Sequence, residues 1–408
     1  MRILIVNVQI GSGSAGSIVS DLYEGIVASG NECKIAFSRG EIRNVPKEDT
    51  IKIGNRIDIC LHALKSRLFG RTATYSKIST KLFLNEVDKF VPDIIHIHGI
   101  YGYYLNMKML FDYIRRNNIG LVSTLHSCWD FTGHCCYFDY IGCMQWKNKC
   151  ENCPQINSYP KSVLFENSSK NLYEKKELYK SLENVIIVSP SKWMDELVSE
   201  SILAELKREV IKNGVDTSVF ENKIDWEYIE SIGADKNIPT ILAVASIWNK
   251  KKGYDDIIEL AEYLKGEEFN IIVVGLSKKQ IANVPNNVIG IERTDNREQL
   301  RTLYSFATVL FNPTYEDNYP TVNLESIACG TPVVTYGVGG SAEVIVDLNA
   351  GAIVDKKNYG LIKKTVEKYR KKGFLNRSIL DSIDSKRMVD DYLVLYNQME
   401  SVKKGVSG

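Results

Sequence analysis

Two acids, three lysines, a glycine-rich turn and a cluster of cysteines are the groups here whose types and spacing could do chemistry. Asp317 and Glu325 flank a loop, Pro313-Thr-Tyr-Glu316-Asp317-Asn318-Tyr319-Pro320-Thr321-Val322, that opens a helix, and a buried strand follows at Gly330-Thr-Pro-Val-Val334. A helix N-terminus carries N–H groups with no helical partner, so the loop can seat a phosphate. A carboxylate further along the helix can accept both hydroxyls of a ribose. The plain alternative is a turn before an amphipathic helix with solvated acids. Lys250, Lys251 and Lys252 precede Gly253 in a basic turn, where they either neutralise a phosphate or are simply solvated.

Gly11-x-Gly13-x-x-Gly16 joins a β-branched run to a helical pattern, and glycine lets the backbone come close to a phosphate. A nicotinamide site would also need an acid near the end of the second strand. Ser38-Arg39 stands there, which suits a 2′-phosphate, so an NADP-dependent oxidoreductase is one reading. A different phosphate or sugar site, and a plain strand–helix turn, are the others. Six of the nine cysteines lie between Cys128 and Cys153. Cys150-x-x-Cys153 is the tight pair of a zinc knuckle, and Cys135 with Cys143 completes a four-thiolate structural zinc site. Cys128 and Cys136 are spare thiols and His134 is a substitute ligand. Packed reduced thiols or a disulfide are the alternatives. A non-catalytic, zinc-stapled interaction protein is therefore also considered.

The elements that must position these groups alternate strand with helix. Apolar, β-branched runs at residues 2–8, 33–37, 93–98, 121–125 and 185–188 read as strands of one parallel sheet. Ile18, Val19, Leu22, Ile26 and Val27 mark the core face of the first helix, and Gly30 its end. Residues 128–154 form a Cys-rich insert. The pattern restarts after the turn-rich Asn213-Gly214-Val215-Asp216, with strands at 240–245, 270–274 and 308–311. Two Rossmann-like α/β domains follow, residues 1–213 and 214–385, facing across a cleft, with an amphipathic helix over 386–408 returning to the first.

At 408 residues, two domains are expected. The formal net charge of +1 removes any global drive towards nucleic acid. No apolar run approaches the roughly 18 residues of a membrane span, and the N-terminus reads as no export signal. A cytoplasmic location with reduced thiols is expected. Between Arg56 and Lys81 lie six basic residues and one acid, Asp58, among Ile, Leu and Phe, so weak docking on an anionic membrane surface is expected. An ordinary solvated helix face is the alternative.

The acid pair with seven residues between, before Gly-Thr-Pro-Val-Val, resembles family 4 of the retaining glycosyltransferases. So do Pro92-Asp-Ile-Ile-His96-Ile-His98, Thr124-Leu-His126, Ser189-Pro-Ser191, Val210-Ile-Lys-Asn213-Gly214-Val215-Asp216 and Glu298-Gln-Leu300-Arg-x-Leu-Tyr304 before Asn312-Pro313. The Cys-rich insert and Glu316-Asp-Asn resemble the branch found in bacterial surface-polysaccharide synthesis.

The resemblance implies a GT-B architecture and transfer of a sugar from a UDP- or GDP-linked donor to a saccharide, often lipid-linked, with retention and no obligatory catalytic metal. It implies that Glu325 holds the ribose and Asp317 faces donor-sugar hydroxyls. Asn318, Tyr319, Thr321 and Val322 present the loop to the donor. Lys252 neutralises the diphosphate, and His126 hydrogen-bonds the donor sugar from the facing domain. Gly16 lines the phosphate side. Two departures stand out. Asn-Tyr-Pro replaces Gly-Phe-Gly at 318–320, and the family's arginine falls on Ile247, leaving Lys250 or Lys251 as substitutes.

Overall fold

The computed structural model describes residues 1–11, 13–40, 45–372, 375 and 377–405. The chain forms two compact units, residues 1–212 together with those from Met388 onward, and Asn213–Arg387.

The first unit is built on seven strands: β1 (Arg2–Ile10), β2 (Glu32–Gly40), β3 (Thr50–Lys52), β4 (Ile94–Ile97), β5 (Gly120–Thr124), β6 (Val185–Ser189) and β7 (Lys207–Val210). All pair in parallel, in the order β3-β2-β1-β4-β5-β6-β7. Side chains of a strand alternate between the faces of a sheet, and both faces here are covered. Leu4 and Val6 enter one apolar cluster, with Leu110 and Phe111. Ile3 and Ile5 enter the other, with Ile18, Val19, Leu22 and Ile26 of α1 (Gly13–Ala28) and with Tyr392, Leu395, Tyr396 and Met399 of the final helix. Val27, expected on the core face of α1, is instead 43% exposed. Its neighbour Ile26 takes the inward direction.

The second unit carries β8 (Thr240–Val244), β9 (Asn270–Val274), β10 (Val288–Ile291), β11 (Val309–Asn312), β12 (Val333–Tyr336) and β13 (Gly351–Val354). These are also parallel, in the order β10-β9-β8-β11-β12-β13. Four strands had no strong signal in the sequence: β3, β7, β10 and β13. Each is the outer strand of its sheet. Outer strands are short and partly solvated, so they lack a continuous apolar run. β7 reads Lys-Arg-Glu-Val.

Both sheets reverse strand order once, between β1 and β4 in the first and between β8 and β11 in the second. There the loops leave the carboxyl ends of two neighbouring parallel strands for opposite faces of the sheet, which opens a crevice where ligands of α/β proteins bind.

Candidate functional site

In the second unit the reversal brings together the loops after β8 and β11, which hold the three lysines and the acid pair. Asn249 starts the lysine turn by accepting from the Lys252 N–H at 3.1 Å. Gly253 ends it with φ +76°, where a Cβ would come within 2.2 Å of the Pro313 carbonyl oxygen. Only glycine lets these two loops touch. The Tyr315 N–H donates to the Lys251 carbonyl at 2.8 Å and closes the junction.

Side chains then pair across it. Lys252 Nζ lies 2.6 Å from Asp317 Oδ2, and Lys251 Nζ 2.6 Å from Glu316 Oε1. Glu316 is buried, and its pair with Lys251 ties the loop from beneath. Asp317 also accepts from the Asn318 N–H at 2.9 Å, and its carbonyl accepts from the Gly340 N–H at 3.1 Å. Lys250 is exposed and so is Ile247, at 73%. Of the two lysines considered as substitutes for an arginine at 247, Lys251 is therefore engaged by Glu316 and Lys250 faces solvent.

Glu325 stands on the helix Thr321–Ala328, whose cap residue Pro320 offers no side-chain hydrogen bond. Its Oε2 accepts from the buried Tyr304 hydroxyl at 2.8 Å. Burial raises its pKa above the usual carboxylate range, against the opposing pull of the Tyr304 hydroxyl, the Arg297 charge and Thr321. Asn318, Tyr319 and Thr321 are buried, Val322 half-buried. The Tyr319 carbonyl accepts from Asn213 Nδ2 at 2.9 Å.

Sequence reasoning missed the scaffold beneath this helix. Asn312 Nδ2 donates to Asn323 Oδ1 at 2.9 Å, and Asn323 Nδ2 reaches both the Ser341 carbonyl and its Oγ at 3.2 Å. Thr335 Oγ1 closes the ring, 3.0 Å from Ser341 Oγ and 2.8 Å from the Asn312 carbonyl. All four side chains are buried. A fully satisfied buried network of this kind fixes one geometry. Its only sequence signal was asparagine at a strand end and inside a helix.

In the first unit His126 follows β5. His98 Nδ1 lies 2.9 Å from His126 Nε2, and the two rings stack with centroids 5.2 Å apart. The third histidine, His96, bridges Tyr396 OH at 2.7 Å and Thr124 Oγ1 at 2.8 Å. His96 and His98 are buried. Burial lowers the pKa of His126 to about 4 and of His96 to about 3, and holds His98 well below its usual value. All three are neutral at pH 7. Gly16 is buried in α1, where a Cβ would stand 3.3 Å from the Gly11 nitrogen. It serves close packing of the helix on the preceding turn. Ser12 lies outside the described residues. Arg39, which would suit a 2′-phosphate, donates to the Gly102 carbonyl at 2.7 Å.

Cys128, Cys135 and Cys150 pack in the first apolar cluster, with Cys136 and Cys143 against it. Cys150 and Cys153 lie within electrostatic reach of Cys135 and of Cys143, and burial pushes the Cys135 thiol up to about 12. Their thiols are unbridged. Among the described residues no group of three or more His, Cys, Asp or Glu is drawn into a metal-holding cluster. Aromatic packing orders the insert: Phe138 stacks on Trp146 with centroids 4.8 Å apart, and Phe131 meets Trp146 edge-on at 5.4 Å. Buried Lys175 sits 3.3 Å from the Trp129 ring centroid and donates to the Thr132 carbonyl at 2.9 Å.

Two parallel-sheet domains with a basic turn and an acid pair at the second reversal define a glycosyltransferase of the GT-B fold. Residues 15–219 match the profile of Glycosyltransferase Family 4, and residues 208–379 that of Glycosyl transferases group 1. The chain belongs to glycosyltransferase family 4. It is 24% identical over 362 residues, 85% of each chain, to the putative colanic acid biosynthesis glycosyl transferase WcaC of Escherichia coli K12. Among solved structures it resembles the sucrose-phosphate synthase of Thermosynechococcus elongatus, with TM-score 0.66, 15% identity and coverage of 99% and 98% of the two chains. It also resembles Anabaena Alr3699/HepE in complex with UDP-glucose, with TM-score 0.59, 12% identity and coverage of 100% and 98%. An oxidoreductase or a non-catalytic scaffold protein is not favoured by these likenesses.

Proposed function

We propose that this glycosyltransferase moves a sugar from a nucleotide-diphosphate donor to a saccharide carried on a lipid, with retention of configuration, in surface-polysaccharide synthesis. The observation that carries the reading is the pairing of Lys252 with Asp317 at the reversal of the second sheet, beside the Glu325 helix. The HepE structure holds UDP-glucose and WcaC is assigned to colanic acid synthesis, which support the donor class and the pathway type.

The bond from the anomeric carbon to the diphosphate oxygen breaks, and a bond from that carbon to the acceptor hydroxyl forms on the same face. The hydroxyl proton passes to the leaving phosphate. Positive charge develops on the ring and negative charge on the diphosphate. Lys252 and the N-terminus of the 321–328 helix stabilise the leaving diphosphate as its charge grows, so catalysis requires no metal ion. Asp317 exchanges Lys252 for sugar hydroxyls, Glu325 binds the ribose, and neutral His126 hydrogen-bonds a sugar hydroxyl. Asn318, Tyr319, Thr321 and Val322 shape the donor loop.

UDP- and GDP-sugars should raise the melting temperature and be hydrolysed slowly, with EDTA present, while NADPH has no effect. Asp317→Asn should abolish hydrolysis, and NMR of the product should show the donor's anomeric configuration. Donor hydrolysis at wild-type rate in Asp317→Asn, or an inverted product, refutes the reading. In the insert, a structural zinc would draw the thiolates of Cys135, Cys143, Cys150 and Cys153 into a closed tetrahedron.

A further inference from the structure

Helix α2 (Arg56–Phe69) is turned inside out. Its buried side chains are the polar His62 and Ser66. Ile57, Leu61 and Leu64, spaced i, i+4, i+7 on one face, are 73%, 51% and 54% exposed. A surface helix ordinarily does the reverse. The orientation is pinned from inside. His62 Nδ1 lies 2.8 Å from Ser76 Oγ, its ring meets Tyr75 and Tyr103 edge-on, and Ser66 Oγ donates to the Arg71 carbonyl at 2.8 Å.

Neighbouring elements continue the apolar face. A Cβ on Gly54 would approach both Asp58 Oδ2 and Ser79 Oγ, at 2.8 and 3.5 Å, so the first turns of α2 and α3 (Lys77–Phe90) lie side by side. Ile78 and Leu82 of α3 are 79% and 62% exposed. At the other end of α2, the Val163 N–H donates to the Arg67 carbonyl at 2.7 Å, and Phe165 stacks on Phe69 with centroids 5.8 Å apart. Residues 163–165 are exposed as well. Exposed Arg56, Lys65, Lys77 and Lys81 stand among these apolar groups.

We infer that this surface of the first unit docks on an anionic lipid bilayer. Aliphatic side chains interleaved with lysine and arginine match the headgroup region, where apolar groups enter the acyl boundary and the cations meet lipid phosphates. A protein partner fits less well, because lysine is depleted from the cores of protein interfaces. A second copy of this chain would set the same basic face against itself. The surface does not rest on the donor chemistry proposed above, and different readouts test the two.

Co-sedimentation with vesicles of phosphatidylcholine alone, or mixed with phosphatidylglycerol, tests the inference. The full chain should sediment only with the mixed vesicles and be released by salt. Lys77→Ala with Lys81→Ala should weaken binding roughly five-fold per charge, about 25-fold together. Leu61→Asp with Leu64→Asp should abolish it even at low salt. Both pairs are solvent-facing, so thermal melts and donor hydrolysis should stay at wild-type values. The inference is overturned by no wild-type binding to any vesicle, or by unchanged binding in both variants. Lipid-free self-association that the same variants abolish would also overturn it. Loss of donor hydrolysis in the wild type with lipid binding intact would remove the proposed chemistry and leave the surface standing.

Discussion

Glu325→Gln and Glu325→Ala should separate what this carboxylate does for the fold from what it does for the donor. The glutamine keeps an acceptor for the Tyr304 hydroxyl at 2.8 Å and removes the half-buried charge. Burial raises the folded-state pKa of Glu325, so the ionised group costs stability at neutral pH. That cost disappears below the unfolded-state pKa of about 4.3 and is present in full above the folded-state value. Glu325→Gln should therefore melt higher than wild type at pH 7, with the difference closing near pH 4. Binding moves the other way. Hydrogen bonds to a charged group exceed neutral ones by about 1 kcal/mol each. Two ribose hydroxyls then lose about 2 kcal/mol, roughly thirty-fold in kcat/KM for the donor. Glu325→Ala loses both bonds and leaves the buried Tyr304 hydroxyl unpaired, which destabilises by about 1–3 kcal/mol. Calorimetry across pH with donor kinetics on each variant makes the comparison. Wild-type donor kcat/KM in Glu325→Gln, or a lower melting temperature for it at pH 7, refutes the reasoning.

Further outcomes follow from the same geometry. The depressed pKa values of His96, His98 and His126 mean that the unfolded chain takes up protons near pH 6.5 and the folded chain does not. Stability should fall as pH drops from about 6.5 towards 4, by about 2 kcal/mol at pH 5 for each of His96 and His126, and a melting temperature flat over that range refutes it. Gly253→Ala forces a Cβ to 2.2 Å from the Pro313 carbonyl at φ +76°, so it should destabilise the second unit by over 1 kcal/mol and weaken donor binding. Unchanged melting and donor affinity would count against the loop junction. Protein purified without chelator should carry about one zinc per chain, lost in Cys150→Ser with Cys153→Ser. A metal-free, fully ordered insert would remove the zinc.

Legibility followed burial. Buried central strands announce themselves as continuous apolar runs, and β1, β4, β5, β8 and β9 lie close to where the sequence puts them. Outer strands such as Lys207–Val210 do not, because their side chains meet water and are not constrained to be apolar. The acid pair and the lysine turn stood out by spacing along the chain. The ring of Asn312, Asn323, Thr335 and Ser341 did not, because its members come from separate elements and meet only once the sheet is assembled.

The sequence by itself determined the alternation of strand and helix, hence two parallel sheets, and the residue types that stand after β8, β11 and β5. Hydrophobic period and strand-end position are local properties, and they survive reading in one dimension. Tertiary structure alone decided the partners. It set Lys252 on Asp317 but Lys251 on the buried Glu316, through a glycine that lets two loops touch. It made three histidines neutral by excluding water around them, and it turned the apolar face of α2 outward because His62 and Ser66 found polar partners inside. Burial and pairing depend on which distant segments arrive at the same place, and no spacing along the chain encodes that.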